Sequence, residues 1–87
     1  MYTIINDNLY NTDSFVSISV KDYRTDSEAK VYRVIIMLNG SGAVVLKEGI
    51  KSRDEAFAIM HELQRLLNKN KMPENLGELF NKQEETE

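Results

Sequence analysis

Sixteen residues, Met37 to Ser52, hold most of what could be chemistry in this chain: MLNGSGAVVLKEGIKS. Gly40 and Gly42 form a Gly-x-Gly, and Gly49, Lys51 and Ser52 follow just before a helical pattern. A phosphate loop needs a glycine, four residues, then Gly-Lys-Ser/Thr. Here six residues separate Gly42 from Gly49, and Ile50 stands between Gly49 and Lys51. The intervening AVVLKE is built of strand formers, whereas a phosphate cradle exposes backbone N–H groups in a loop. A dinucleotide fingerprint fails as well, because Val45 occupies the place of the third glycine. The stretch reads as a β-hairpin, with Gly49 bending the chain from strand into helix.

The remaining reactive side chains do not assemble into a site on paper. His61 is the one histidine, and it lies off the apolar stripe of its helix, where a solvated surface position is expected. A general base needs a positioned partner, and none is signalled. Asp54 and Glu55 are explained by helix capping, and Glu84 and Glu85 fall in an acidic tail. No cysteine is present, which removes disulfides, thiolate zinc sites and thiol nucleophiles. No catalytic, cofactor-binding or metal-binding residue is assigned, and the chain reads as a non-enzyme. Tyr10, Tyr23 and Tyr32 with Arg24 and Arg33 suggest base stacking on a sheet face. Such a face needs a basic surround. The formal charge is −3, with an acidic segment from Glu74 onward and a nearly neutral body of ten bases and nine acids before it. That balance argues against a dedicated nucleic-acid binder.

The elements that would position these residues are legible from periodicity. Eighty-seven residues suit one small domain whose stability benefits from added burial. Tyr2–Ile5 is β-prone, turn residues follow at 6–8, and Leu9 and Tyr10 resume an extended path. Phe15–Val20 alternates, with Val16, Ile18 and Val20 on one face and Ser17 and Ser19 on the other. The polar 21–29 reads as loop or fraying strand. Lys30–Leu38 is the strongest strand, apolar on both faces apart from Arg33, as for a central strand. Ala43–Lys47 returns. Ser52 and Glu55 then form a capping box, and Ala56, Ile59, Met60, Leu63, Leu66 and Leu67 make the stripe of a helix over 53–69. Asn70 and Pro73 end it. A short second helix brings Leu76, Leu79 and Phe80 together.

These readings give an α+β fold: a three- to four-stranded antiparallel meander against one amphipathic helix, with a short C-terminal helix. Residues 1–80 form the domain and 81–87 a disordered tail. The longest apolar stretch, Val34–Leu38, is far short of the roughly 18 residues of a membrane span. No leader is apparent, and a cytoplasmic location without membrane contact is expected.

One helix covers one sheet face, yet Ile35, Met37, Ala43 and Val45 point to the other. An uncovered apolar patch marks a contact surface. The expected partner surface is Ile35, Met37, Val45, Phe57, Leu76, Leu79 and Phe80, with Phe57 at the stripe's edge and the C-terminal segment packing either in cis or on a second copy. The leading expectation is a protein-interaction domain forming a homodimer. The alternative is an inhibitor of a host nucleic-acid-handling protein, using the tail acids and Asp22, Asp26 and Glu28 as mimics of nucleic-acid charge.

Ser52, Asp54, Glu55 and Ala56 resemble the Ser/Thr-x-Glu-Glu-Ala-like helix opening of small bacterial and phage proteins built as a β-meander followed by one amphipathic helix. The resemblance covers most of residues 2 to 70. It implies a mobile-element or accessory role and transfers no site residue.

Overall fold

The computed structural model describes residues 1–27, 29–40 and 42–81. The chain starts with β1 (Tyr2–Ile5) and β2 (Asn8–Asn11), paired antiparallel with Ile5 opposite Asn8. Asn6 and Asp7 join them, and both have positive φ, 53° and 67°. This is a tight hairpin turn that Asn and Asp tolerate better than other side chains. A 3-10 turn, Thr12–Ser14, follows, opened by the Asn11 side chain accepting from the Asp13 N–H.

A three-stranded antiparallel meander comes next: β3 (Phe15–Arg24), β4 (Lys30–Leu38) and β5 (Ala43–Ile50), with β4 central. The chain reverses between β4 and β5, with Gly40 at φ 105° and a Leu38 N–H to Gly42 C=O bond of 2.9 Å. The hairpin reading of the glycine-rich stretch is what the backbone adopts. The β1–β2 hairpin is a separate two-stranded sheet.

Helix α1 (Arg53–Asn68) begins at Ser52, whose Oγ accepts from the Glu55 N–H. It ends with Asn70 at φ 55° and the Lys71 N–H on the Leu66 carbonyl. That left-handed residue closes orphan carbonyls, as expected at a helix C-terminus. Helix α2 (Leu76–Asn81) is capped by Asn75, whose Oδ1 accepts from the Glu78 N–H. The domain is therefore α+β, with both helices serving one core.

Val34, Ile36, Val44, Leu46 and Ile50 from the sheet meet Ala56, Ile59, Leu63 and Leu66 from α1 in that core. Ile5, Leu76 and Phe80 complete it. At 0% exposure, Thr3 is the most deeply buried polar residue among those described, and it ties the first strand to the segment before α2. Its Oγ1 donates to the Pro73 carbonyl at 2.8 Å and accepts from the Leu76 N–H at 2.9 Å. The Ile4 N–H bonds the Glu74 carbonyl at 2.9 Å alongside.

Several boundaries differ from expectation; α1, for one, ends at Asn68 with Lys69 as its C-cap rather than at 69. β3 runs to Arg24, so the polar segment after Val20 is strand, stabilised by pairing from Lys21 with Arg33 to Arg24 with Lys30. β5 runs to Ile50 and contains Gly49, at φ 73°, in a register shift between Tyr32 and Val34 of its partner. Gly49 thus serves a bulge rather than the strand-to-helix bend. Asn81 belongs to α2, its Nδ2 donating to the Gly77 carbonyl, so the expected tail does not start there. The tail reading for 82–87, including Glu84 and Glu85, lies outside the described residues, as does Glu28.

Candidate interaction surface

The core face and the outer face of the sheet are set by β4. Val34 and Ile36 are fully buried toward α1, whereas Ile35 is half-buried and Met37 is 40% exposed on the opposite side. Ser19 pairs with Ile35, and Ile35 with Val45; Ser17 pairs with Met37, and Met37 with Ala43. Directly paired residues share a face. One end of the outer face therefore carries Ile35, Met37, Ala43 and Val45 flanked by serines. The other end is cationic and aromatic: Lys21 pairs with Arg33, whose guanidinium lies 4.0 Å from the Tyr23 ring centre. The Tyr23 hydroxyl accepts from the Gly49 N–H at 3.1 Å, which pins the ring across the sheet.

The two sheet edges differ. At β5 the Asn6 Nδ2 donates to the Val45 carbonyl at 3.0 Å, and α2 lies close by. There Lys47 is 6% exposed, and its Nζ donates to the Phe80 carbonyl at 3.0 Å. Alternation from Val44 and Leu46 would turn Lys47 outward. A register shift beside Leu46 places Lys47 opposite Val34 instead, on the helix side. At the other edge β3 has β4 as its only strand-pairing neighbour among the described residues. Beside it an open cleft of about 310 Å³ runs between β3 and α1, lined by Phe15, Val16, Ser17, Ile18, Met60, Gln64 and Leu67. Val16 is 65% exposed there, although strand alternation assigned it to a half-buried face. The register shift between Phe15 and Ser17 is the cause, since it adds a residue at the strand's start.

The expected partner residues separate into two groups. Ile35, Met37, Val45, Phe57 and Leu79 retain exposure, with Leu79 at 41% and the Phe57 ring under the Arg53 guanidinium at 4.7 Å. Leu76 and Phe80 do not present themselves to a partner. They are folded into the chain's own core, where Ile5 and the β5 side chains give them the larger apolar contact.

The reactive side chains of the sequence are not gathered. Ser52 and Glu55 form the helix cap, Lys51 is exposed before it, and His61 is exposed on α1. Tyr10 and Tyr32 pack against the core, so they do not share a stacking face with Tyr23 and Arg33. Asp22 is engaged by Lys30 at 3.2 Å, and the hydrogen bond and charge of that ammonium hold its carboxyl below the ordinary 3.8. Among the described residues no three His, Asp or Glu side chains group as a metal site, and no helix is long and apolar enough to cross a membrane.

Comparison with known proteins adds no relative: no family model matches the chain, and neither a curated protein nor a solved structure matches it.

Proposed function

We propose that this chain is a non-enzymatic protein-interaction domain that self-associates. The observation that carries the reading is the outer face of the sheet, where the central strand displays Ile35 and Met37 away from the core that α1 and α2 build. Apolar side chains on the middle strand of a small domain are costly to leave in water, and covering them stabilises both the domain and its complex. The cleft beside β3 adds a second apolar region with Val16 at its rim. Ser52 and Glu55 are used in capping and Asp22 in an ion pair, which supports binding over catalysis as the reading.

The test is the solution mass of the full chain by light scattering across a dilution series. A concentration-dependent rise to twice the monomer mass is expected. A constant monomer mass throughout would count against self-association.

A further inference from the structure

We propose that the free edge of β3 pairs antiparallel with the same edge of a second copy, across a two-fold axis at Ile18. The two three-stranded sheets then join into one. This rests on the self-association reading and adds where and in what register the copies meet.

The first observation is the edge itself. β3 is ten residues long, contains no proline and, among the described residues, is paired with a strand on one side only. An edge strand of that length is a template for another strand unless something blocks it. The opposite edge is obstructed by Asn6 on the Val45 carbonyl.

The second observation selects the occupant. Val16-Ser17-Ile18-Ser19-Val20 reads the same in both directions. A two-fold contact is isologous, so each residue must suit its own mirror position. With the axis at Ile18, Val16 of one copy faces Val20 of the other, Ser17 faces Ser19, and Ile18 faces itself. Ile18 meets Ile18 on the helix side and serines meet serines, while Val16, at the register shift between Phe15 and Ser17 where the alternation breaks, brings its exposed side chain to the partner's Val20 at the end of the seam. Moving the axis to Val20 sets Val16 against Arg24 and Ile18 against Asp22, while an axis at Val16 leaves Ile18 opposite Ser14. Only the axis at Ile18 matches both faces.

The third observation is the cleft. Its apolar lining by Phe15, Ile18, Met60 and Leu67 lies on the helix side of that edge. The partner's Val16 and Val20 arrive there, and the same contact recurs through the axis. The exposed Val16 gains cover without any change in the monomer fold.

The experiment uses two exposed positions, so that neither variant disturbs the core. Val16→Asp places a charge on the proposed seam, and Met37→Asp places one on the outer face. Thermal melts of both confirm folding. Val16→Asp is expected to raise the midpoint concentration of dimer dissociation at least about tenfold, and by more than Met37→Asp does. The chain has no cysteine, so a mixture of Ser17→Cys and Ser19→Cys chains reports the register. Mixed disulfides between the two variants are expected to outnumber those within either.

Loss of the dimer in Met37→Asp but not in Val16→Asp would assign the contact to stacked sheet faces. That overturns the edge pairing and keeps self-association. Predominance of Ser17-to-Ser17 or Ser19-to-Ser19 links would overturn the register. A wild-type chain that remains monomeric overturns both readings, whether or not an added strand-forming peptide occupies the edge.

Discussion

Thr3 and Leu76 are bonded through side chain and backbone at 2.9 Å although 73 residues separate them. The same hydroxyl donates to Pro73, so one buried oxygen both gives and receives. The N-terminal strand is thereby the floor on which α2 begins. This explains why a short helix with few apolar residues holds its place.

Thr3→Val keeps the shape and removes the hydroxyl. It leaves the Leu76 N–H and the Pro73 carbonyl without that partner in a dry site. A loss of about 1 to 3 kcal/mol is expected, read by urea denaturation. Thr3→Ser keeps the bonds and deletes a methyl, for a loss of about 1 kcal/mol. No loss in Thr3→Val beside a loss in Thr3→Ser would show that packing, not bonding, is what Thr3 contributes.

Ending the chain after Asn75 removes Leu76 and Phe80 from the core. Two large buried side chains contribute roughly 3 to 6 kcal/mol together. Domains have a total of about 5 to 15 kcal/mol. The shortened chain should unfold at markedly lower temperature by circular dichroism, whatever its oligomeric state. Unchanged melting would place the C-terminal segment outside the core.

Gly77 and Gly49 should respond to alanine in opposite directions. A Cβ on Gly77 would meet Ile5 Cα and Asn6 N at 3.5 Å, an ordinary contact. Within a helix, alanine then stabilises by about 0.5 to 1 kcal/mol. At Gly49 there is open space, but φ is +73°. Alanine there costs about 1 to 2 kcal/mol from backbone conformation alone. Melting temperatures of the two variants should move apart, and a common direction would refute one of the two arguments.

Asp22 carries a pH dependence of known sign. Lys30 lowers its folded carboxyl below 3.8. The associated stability is therefore present above the unfolded value and is lost as pH falls through the lower folded value. Both side chains are about half exposed, so salt should weaken the effect. In Lys30→Met, the Asp22 titration followed by NMR should move up toward 3.8. An unmoved midpoint would remove Lys30 as the cause.

Much of this architecture was readable because the forces involved are local. The alternation of Lys30–Leu38 reports a central strand, and Ser52 with Glu55 reports a helix start through one hydrogen bond. The glycine-rich hairpin follows from turn chemistry at Gly40. What escaped depends on distant partners. β3 continues through Lys21 and Asp22 because β4 pairs with them, and edge strands tolerate polar residues. Lys47 turns inward because a bulge shifts the period by one. The candidate surface was partly legible: Ile35, Met37 and Val45 follow from alternation, while the burial of Leu76 and Phe80 follows from a floor laid by residues near the start. The symmetric Val16–Val20 pattern was in plain view. Its meaning needed the knowledge that β3 is an edge.

The contact between Thr3 and the 73–76 segment also sets a schedule for synthesis. A ribosome adds about 5 to 20 residues each second, and the meander and α1 can form while the chain is still emerging. The first strand cannot close the core until Phe80 has left the exit tunnel, since its partners are among the last of the described residues to be made. During that interval Ile5 and its neighbours have no lasting cover. Nascent chains therefore pass through an interval between the emergence of Thr3 and that of residues 73–80, which a slow codon within that stretch would lengthen.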